Sequence, residues 1–422
     1  MTNAGVADAA INQYLERYAE PEAQWSELEQ QSVFASGKIY QHVLVIPAYA
    51  ETESFLAHVL QHCNAAELLC VVVVNAPTED GRLVINDDEL QQTKDLLHQL
   101  KQQTRCPLLV VDRVSDGKRI PQAQGVGLAR KIGTDIALRA YQQGHVVSPW
   151  LYQTDADARL PHNYFRAIAD ASIAAGAVVF AHSHASVDPA VNTAASLYDT
   201  HLHYYVEALA AQGSLYAYPT LGSTLAIHAH SYARVRGYPK RNAGEDFHIL
   251  NKLNKLQRIR YLRQPAIEVQ ARLSTRVTFG TGPALQKITA LLAADPSGEA
   301  YLSYDYRCFE LLGHALVYLR NLSQCDNATM SIHDDRANST ERQYIEQILE
   351  TLGVDRFVNA AIAHQSNPRQ REKMTNEWFD ALKTLRFIHL AGKHYPNTSL
   401  LQTLRSLPTS LRNKITFHAG IV

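Results

Sequence analysis

The chain has 422 residues, 46% of them hydrophobic, with 40 Lys plus Arg against 41 Asp plus Glu. That length supports a large core and two or three domains. The near-zero net charge gives no general attraction for nucleic acid or an anionic membrane, so no nucleic-acid partner is expected.

Cys63, Cys70, Cys106, Cys308 and Cys325 form no Cys-x-x-Cys pair and read as the reduced, buried thiols of a cytoplasmic protein. The first residues lack the basic start and apolar stretch of a signal peptide. The purest apolar run, Leu68 to Val74, is too short to cross a bilayer, so no transmembrane segment is expected. The composition is compatible with a homo-oligomer.

Residues 1–38 read as a helical segment, with Ile11, Tyr14, Leu15 and Tyr18 as its apolar positions. Four short apolar runs follow, at Val43–Ile46, Leu68–Val74, Pro107–Val111 and Trp150–Thr154, and each suits a buried strand. Helical patterns over 52–63, 87–103 and 123–143 separate them. This alternation implies a mostly parallel sheet covered on both faces. A helix over 161–175, a strand over Ala177–Ala181 and a helix over 190–212 come next. Residues 286–422 read as an all-helical C-terminal region of unknown role, with segments near 307–323, 339–352 and 370–393. The expected division is therefore 1–38, 39–285 and 286–422.

Asp155-Ala-Asp157 follows the fourth strand, and ligands of parallel sheets bind beyond the carboxyl ends of the strands. Two carboxylates spaced by one residue, with room for phosphate oxygens, suit Mg²⁺ or Mn²⁺. Alone, the pattern reads first as a solvated acidic turn, because it is common by chance. Its setting is more specific: Val43-Leu-Val-Ile-Pro-Ala-Tyr-Ala-Glu51, Asn75 ending the second strand, Gln124-Gly-Val-Gly-Leu-Ala-Arg-Lys131, Gly222-Ser-Thr-Leu-Ala-Ile227, Val235-Arg-Gly-Tyr238 and Gly244-Glu-Asp246.

In this order and spacing, over roughly residues 40–285, the chain resembles glycosyltransferase family 2, whose fold is the Rossmann-like GT-A type. The resemblance implies a metal-dependent transfer of sugar from a nucleotide-sugar donor to an unidentified acceptor; inversion fits an Asp246 base, whereas some related folds retain configuration. It implies that Pro47, Ala48, Tyr49, Glu51, Asn75, Arg130 and Asp155 bind the nucleotide-sugar, and that Asp155 and Asp157 hold Mg²⁺ or Mn²⁺. It further implies that Asp246, with Glu245 beside it, serves as the acceptor-side base. The chemistry asks for the same set: negative charge grows on the leaving diphosphate, and a carboxylate must take the acceptor's proton. Helix capping is the competing reading of Glu245-Asp246.

Three departures from the family pattern stand out. Ala50 replaces the usual Asn, Asn75-Ala76 replaces an Asp pair, and Ile267-Glu-Val-Gln-Ala-Arg272 lacks the usual His. Arg272 and Arg276, before a Gly-rich loop, are candidates to clamp a diphosphate or an anionic acceptor. Lys252, Lys255, Arg258, Arg260 and Arg263 read as a solvated helix face. The pairs His182/His184, His201/His203 and His228/His230 read as packing rather than a zinc cage, because on a helix such pairs diverge. Two alternatives stay open: a catalytically degenerate GT-A fold serving as a nucleotide-sugar-binding or scaffold protein, and a sugar-phosphate nucleotidyltransferase.

Overall fold

The computed structural model describes residues 3–35, 37–52, 54–79, 82–103, 106–170, 174–273, 280–324, 336–362 and 364–415. The described residues form two compact units, one within 3–185 and 220–270, the other within 186–219, 271–273 and 280–415.

The first unit is built on an eight-stranded sheet. Its strands are β1 (His42–Ala48), β2 (Leu68–Asn75), β3 (Leu108–Arg113), β4 (Trp150–Gln153), β5 (Ala158–Arg159), β6 (Ala177–Ala185), β7 (Leu225–His228) and β8 (Ile259–Gln270). They lie in the order β3-β2-β1-β4-β7-β6-β8-β5. β1 pairs in parallel with β2 and β4, β2 with β3, and β6 with β8. Only β7 and the two-residue β5 run antiparallel to their neighbours among these strands. This is the expected α/β, Rossmann-like architecture of GT-A type with a mostly parallel sheet.

The central strands are continuous apolar runs because both faces are covered. From Leu68 to Val74 every residue of β2 is buried. One face, that of Val45 and Val73, is covered by α3 (Gly125–Gln142), which packs on β1 and β2 and carries α1 (Asn3–Arg17) against it; α2 (Asp87–Gln102) covers the opposite face, that of Leu44, Ile46, Val72 and Val74. Gly133 lets α3 approach closely: a Cβ there would collide with Val45 of β1. The strand order reverses between β1 and β4, so a crevice opens beyond their carboxyl ends, where Ala48, Asn75 and Asp155 lie.

The second unit packs helix α4 (Pro189–Ala211) with helices at Thr281–Ala294, Tyr306–Gln324, Ser339–Thr351, Pro368–Trp378 and Ala381–Ala391 around one core. α4, which falls within the 39–285 span, thus packs with the C-terminal helices. Two readings change here. The region is not wholly helical, since Leu302-Ser303 pairs with Thr398-Ser399. The helix expected over 370–393 is two helices, because the Asp380 side chain accepts from Lys383 N and caps a new start. Among the described residues, no helix is long and apolar enough to cross a membrane.

Candidate active site

The nucleotide-side candidates sit on strand ends. Pro47 and Ala48 close β1, and Tyr49 and Glu51 follow, both half-buried. Asn75 closes β2; its Nδ2 donates to the carbonyls of Ala48 at 3.1 Å and Val73 at 3.2 Å. The amide therefore ties the two strand ends together. Ala50 adopts a left-handed backbone, φ 49°, and its N–H donates to Thr93 Oγ1. Asn visits that conformation more readily than Ala, which gives a physical reason for the family's preference at this turn.

The acidic candidates converge on Arg130. Its guanidinium is 2% exposed and lies on α3, one turn in from the Gly-rich start. Nε donates to Glu245 Oε1 at 2.9 Å, and Nη2 donates to Asp155 Oδ1 at 2.5 Å. Gly222 makes room for it, since a Cβ there would strike the guanidinium. Asp155 follows β4, and Glu245 opens the helix Glu245–Leu256 behind Gly244 at φ 70°. Residues 25 and 115 positions from Arg130 are thus drawn to one cation.

Asp246 neighbours this cluster. Its Oδ1 accepts from Phe247 N at 2.7 Å. Burial, and next the charge of Glu245, push its carboxyl up to about 7, against the opposing pull of the Phe247 N–H and of Arg130. Tyr238, 2% exposed, is electrostatically coupled to Arg130 and the same carboxylates, and burial holds its phenol neutral far above the ordinary range. Arg130 Nη1, Tyr238 Oη and Ser223 Oγ are buried without a hydrogen-bond partner among the described residues. Tyr238 and Ser223 belong to the Val235-Arg-Gly-Tyr238 and Gly222-Ser-Thr-Leu-Ala-Ile227 motifs, whose sequence alone assigns neither a site role.

Asp157 is half-buried, and its carbonyl accepts from Gln270 N at 2.8 Å, which fixes the turn after β4 against the end of β8. Arg272 is half-buried and falls in the second unit. Arg276 lies outside the described residues.

Two expectations are corrected. The basic run is not one helix face: Lys252 and Lys255 are helical, Arg258 follows the helix end, and Arg260 and Arg263 lie on β8. His182 and His184 lie on a strand, where side chains two apart share a face, and their rings stand 5.4 Å apart.

No protein-family model matches the sequence, and no curated protein matches it. Among solved structures, the chain is similar to S. aureus TarS residues 1–349 in complex with UDP-GlcNAc, at 12% identity and a TM-score of 0.36 over 80% of this chain and 89% of that one. S. aureus TarS residues 1–349 alone gives 11% identity and a TM-score of 0.34 over 74% of this chain and 91% of that one. S. aureus TarS itself gives 10% and 0.35 over 89% and 50%. Likenesses this distant carry no weight for function, and the GT-A-type reading rests on the strand order and the motif order of this chain.

Proposed function

We propose that the chain is a metal-dependent glycosyltransferase that moves a sugar from a nucleotide-sugar donor to an acceptor hydroxyl with inversion. The observation that carries this reading is the Arg130 cluster, which holds the strand-end Asp155 and the helix-start Glu245-Asp246 pair together.

The donor's base would lie between Tyr49 and Asn75. With Nδ2 committed to two carbonyls, Asn75 offers its Oδ1 as an acceptor, which suits the ring N–H of uracil or guanine. Of the two, UDP is the first donor base to test. Three carboxylates, Asp155, Glu245 and Asp246, face one guanidinium, so the cluster carries surplus negative charge. An all-oxygen, anionic set of this kind fits Mg²⁺ or Mn²⁺, held through Asp155 and Asp157 with the donor's diphosphate supplying further oxygens. Such an ion supplies charge stabilisation to the leaving diphosphate.

This chain's residues do the rest. Asp246, with a carboxyl titrating near neutrality, takes the acceptor hydroxyl's proton as the oxygen attacks the anomeric carbon from the face opposite the leaving group. Arg130 keeps Asp155 and Glu245 oriented. Arg130 Nη1 and Tyr238 Oη offer donors to donor or acceptor oxygens. The unpaired thiols support a reducing, cytoplasmic setting.

Isothermal titration of UDP tests the metal and nucleotide assignments together. Binding is expected with Mn²⁺, to weaken sharply with EDTA, and to weaken with Asp157→Ala. Equal affinity in all three conditions contradicts the metal assignment.

A further inference from the structure

Away from the acidic cluster, the first unit holds a cavity of about 540 Å³ with cationic and aromatic walls. Tyr14 and Tyr18 of α1 line it, together with His230, Arg234 and Arg236. No carboxylate is among its described lining residues. We propose that this cavity binds a phosphate group carried on a polar ring body, a sugar phosphate or a nucleotide, at a site separate from the donor crevice.

Three observations converge. First, Arg236 is exposed and stacks its guanidinium on the Tyr18 ring, 4.9 Å from the centroid. Stacking uses the guanidinium's face and leaves its in-plane N–H donors aimed outward, the geometry that grips phosphate oxygens. Second, neither Arg234 nor Arg236 has an ion pair among the described residues, whereas Lys131 is paired with Asp135 at 2.8 Å and Lys240 with Glu20 at 2.7 Å. Burial, and next the charge of Arg236, lower the Lys252 amine below its ordinary value. Third, Arg236 adopts φ 63°, a left-handed conformation that costs a non-glycine residue energy, immediately before Gly237 at φ 68°. Glycine would be at ease there, yet the position holds an arginine.

Packing alone accounts for less. Arg234 is in the last turn of the helix Ala229–Arg234, where a cation suits the helix dipole. Arg236 lies past the helix end, and its side chain is exposed, so neither the dipole nor burial explains it. The floor of the cavity is rigid. Tyr14 Oη donates to Asp135 Oδ1 at 2.6 Å, and Lys131 Nζ donates to Tyr14 Oη and to Asp135 Oδ2, both at 2.8 Å. Tyr14 stacks on Tyr18 with centroids 6.2 Å apart, which holds the platform under Arg236. A tyrosine platform fixed in this way lowers the ordering cost of binding a ring-bearing anion against it.

The test uses the full chain at low ionic strength, titrated with inorganic phosphate, glucose 1-phosphate, UMP and, as neutral control, glucose. Glucose 1-phosphate or UMP should bind saturably, glucose should not, and the binding should fall steeply with added salt. Arg236→Gly removes the guanidinium while relieving the backbone, so it should weaken that binding at least ~tenfold while Tm holds or rises. Arg234→Gln should weaken it as well. Asp157→Ala, expected to weaken nucleotide binding in the donor crevice and not a lining residue of this cavity, should leave it unchanged, which separates this site from the donor crevice. Loss confined to glucose 1-phosphate assigns a sugar phosphate; loss confined to UMP assigns a nucleotide. Absence of saturable binding by either ligand, or affinities unaltered in both arginine variants, overturns the proposal.

Discussion

Replacing Asp246 by Asn should do two opposite things at once. The carboxyl stands near 7 instead of 3.8 in the folded chain, a shift of about three units. A folded-state value above the unfolded one means that the folded chain binds the extra proton between about pH 4 and 7. Stability from this group is therefore present at the acid end and lost as pH rises through that window. At 1.36 kcal/mol per unit the full shift corresponds to about 4 kcal/mol. Asp246 is half-buried, so water shares its charge and about 1–3 kcal/mol is the better figure. Asn cannot ionise. Asp246→Asn should thus raise Tm at pH 8 by several degrees and change it little at pH 4. Transfer should fall on the order of a hundredfold, while donor binding stays near normal. Wild-type transfer should itself decline as pH drops below about 7. The assays are thermal melts at both pH values, with turnover and donor titration on the same preparations. Near-normal turnover refutes the base role; lost stability at pH 8 supports helix capping instead.

Other substitutions probe the surrounding contacts. Glu245→Gln weakens one of two charge contacts of a buried guanidinium and should cost about 2–4 kcal/mol by denaturant melt, with a smaller loss of turnover than Asp246→Asn. Asn75→Asp replaces two donated hydrogen bonds with a carboxylate facing two carbonyls. It should destabilise by about 1–3 kcal/mol and change the ranking of nucleotide-sugars in a thermal-shift panel. Ala50→Gly relieves a left-handed backbone and should raise stability by up to about 1 kcal/mol.

The sheet was legible because its strands are short β-branched runs bounded by turn residues, and burial on both faces leaves no competing pattern. Element limits were less so. The apolar periodicity over 370–393 runs across Phe379-Asp380, and only the Asp380-Ala-Leu-Lys383 cap marks the break. The basic residues after Leu256 read as helix because cations at any spacing fit a solvated face, whereas Gln257 turns the chain into β8. The acid pairs Asp155/Asp157 and Glu245/Asp246 were visible from motif order. That Arg130 would link them was not, because its partners are distant in sequence and a buried arginine looks like any other in a helix. The Lys131–Asp135 pair did carry a signal: opposite charges four apart within an otherwise apolar helix turn, here almost wholly buried.

The most direct measurement of the central claim is release of nucleoside diphosphate from a panel of nucleotide-sugars, with and without Mn²⁺, by wild type and Asp246→Asn. The account predicts Mn²⁺-dependent release from at least one donor, foremost a UDP-sugar, stimulated by acceptor in the wild type and not in the variant. No release from any donor, or release indifferent to both Mn²⁺ and Asp246, would contradict it.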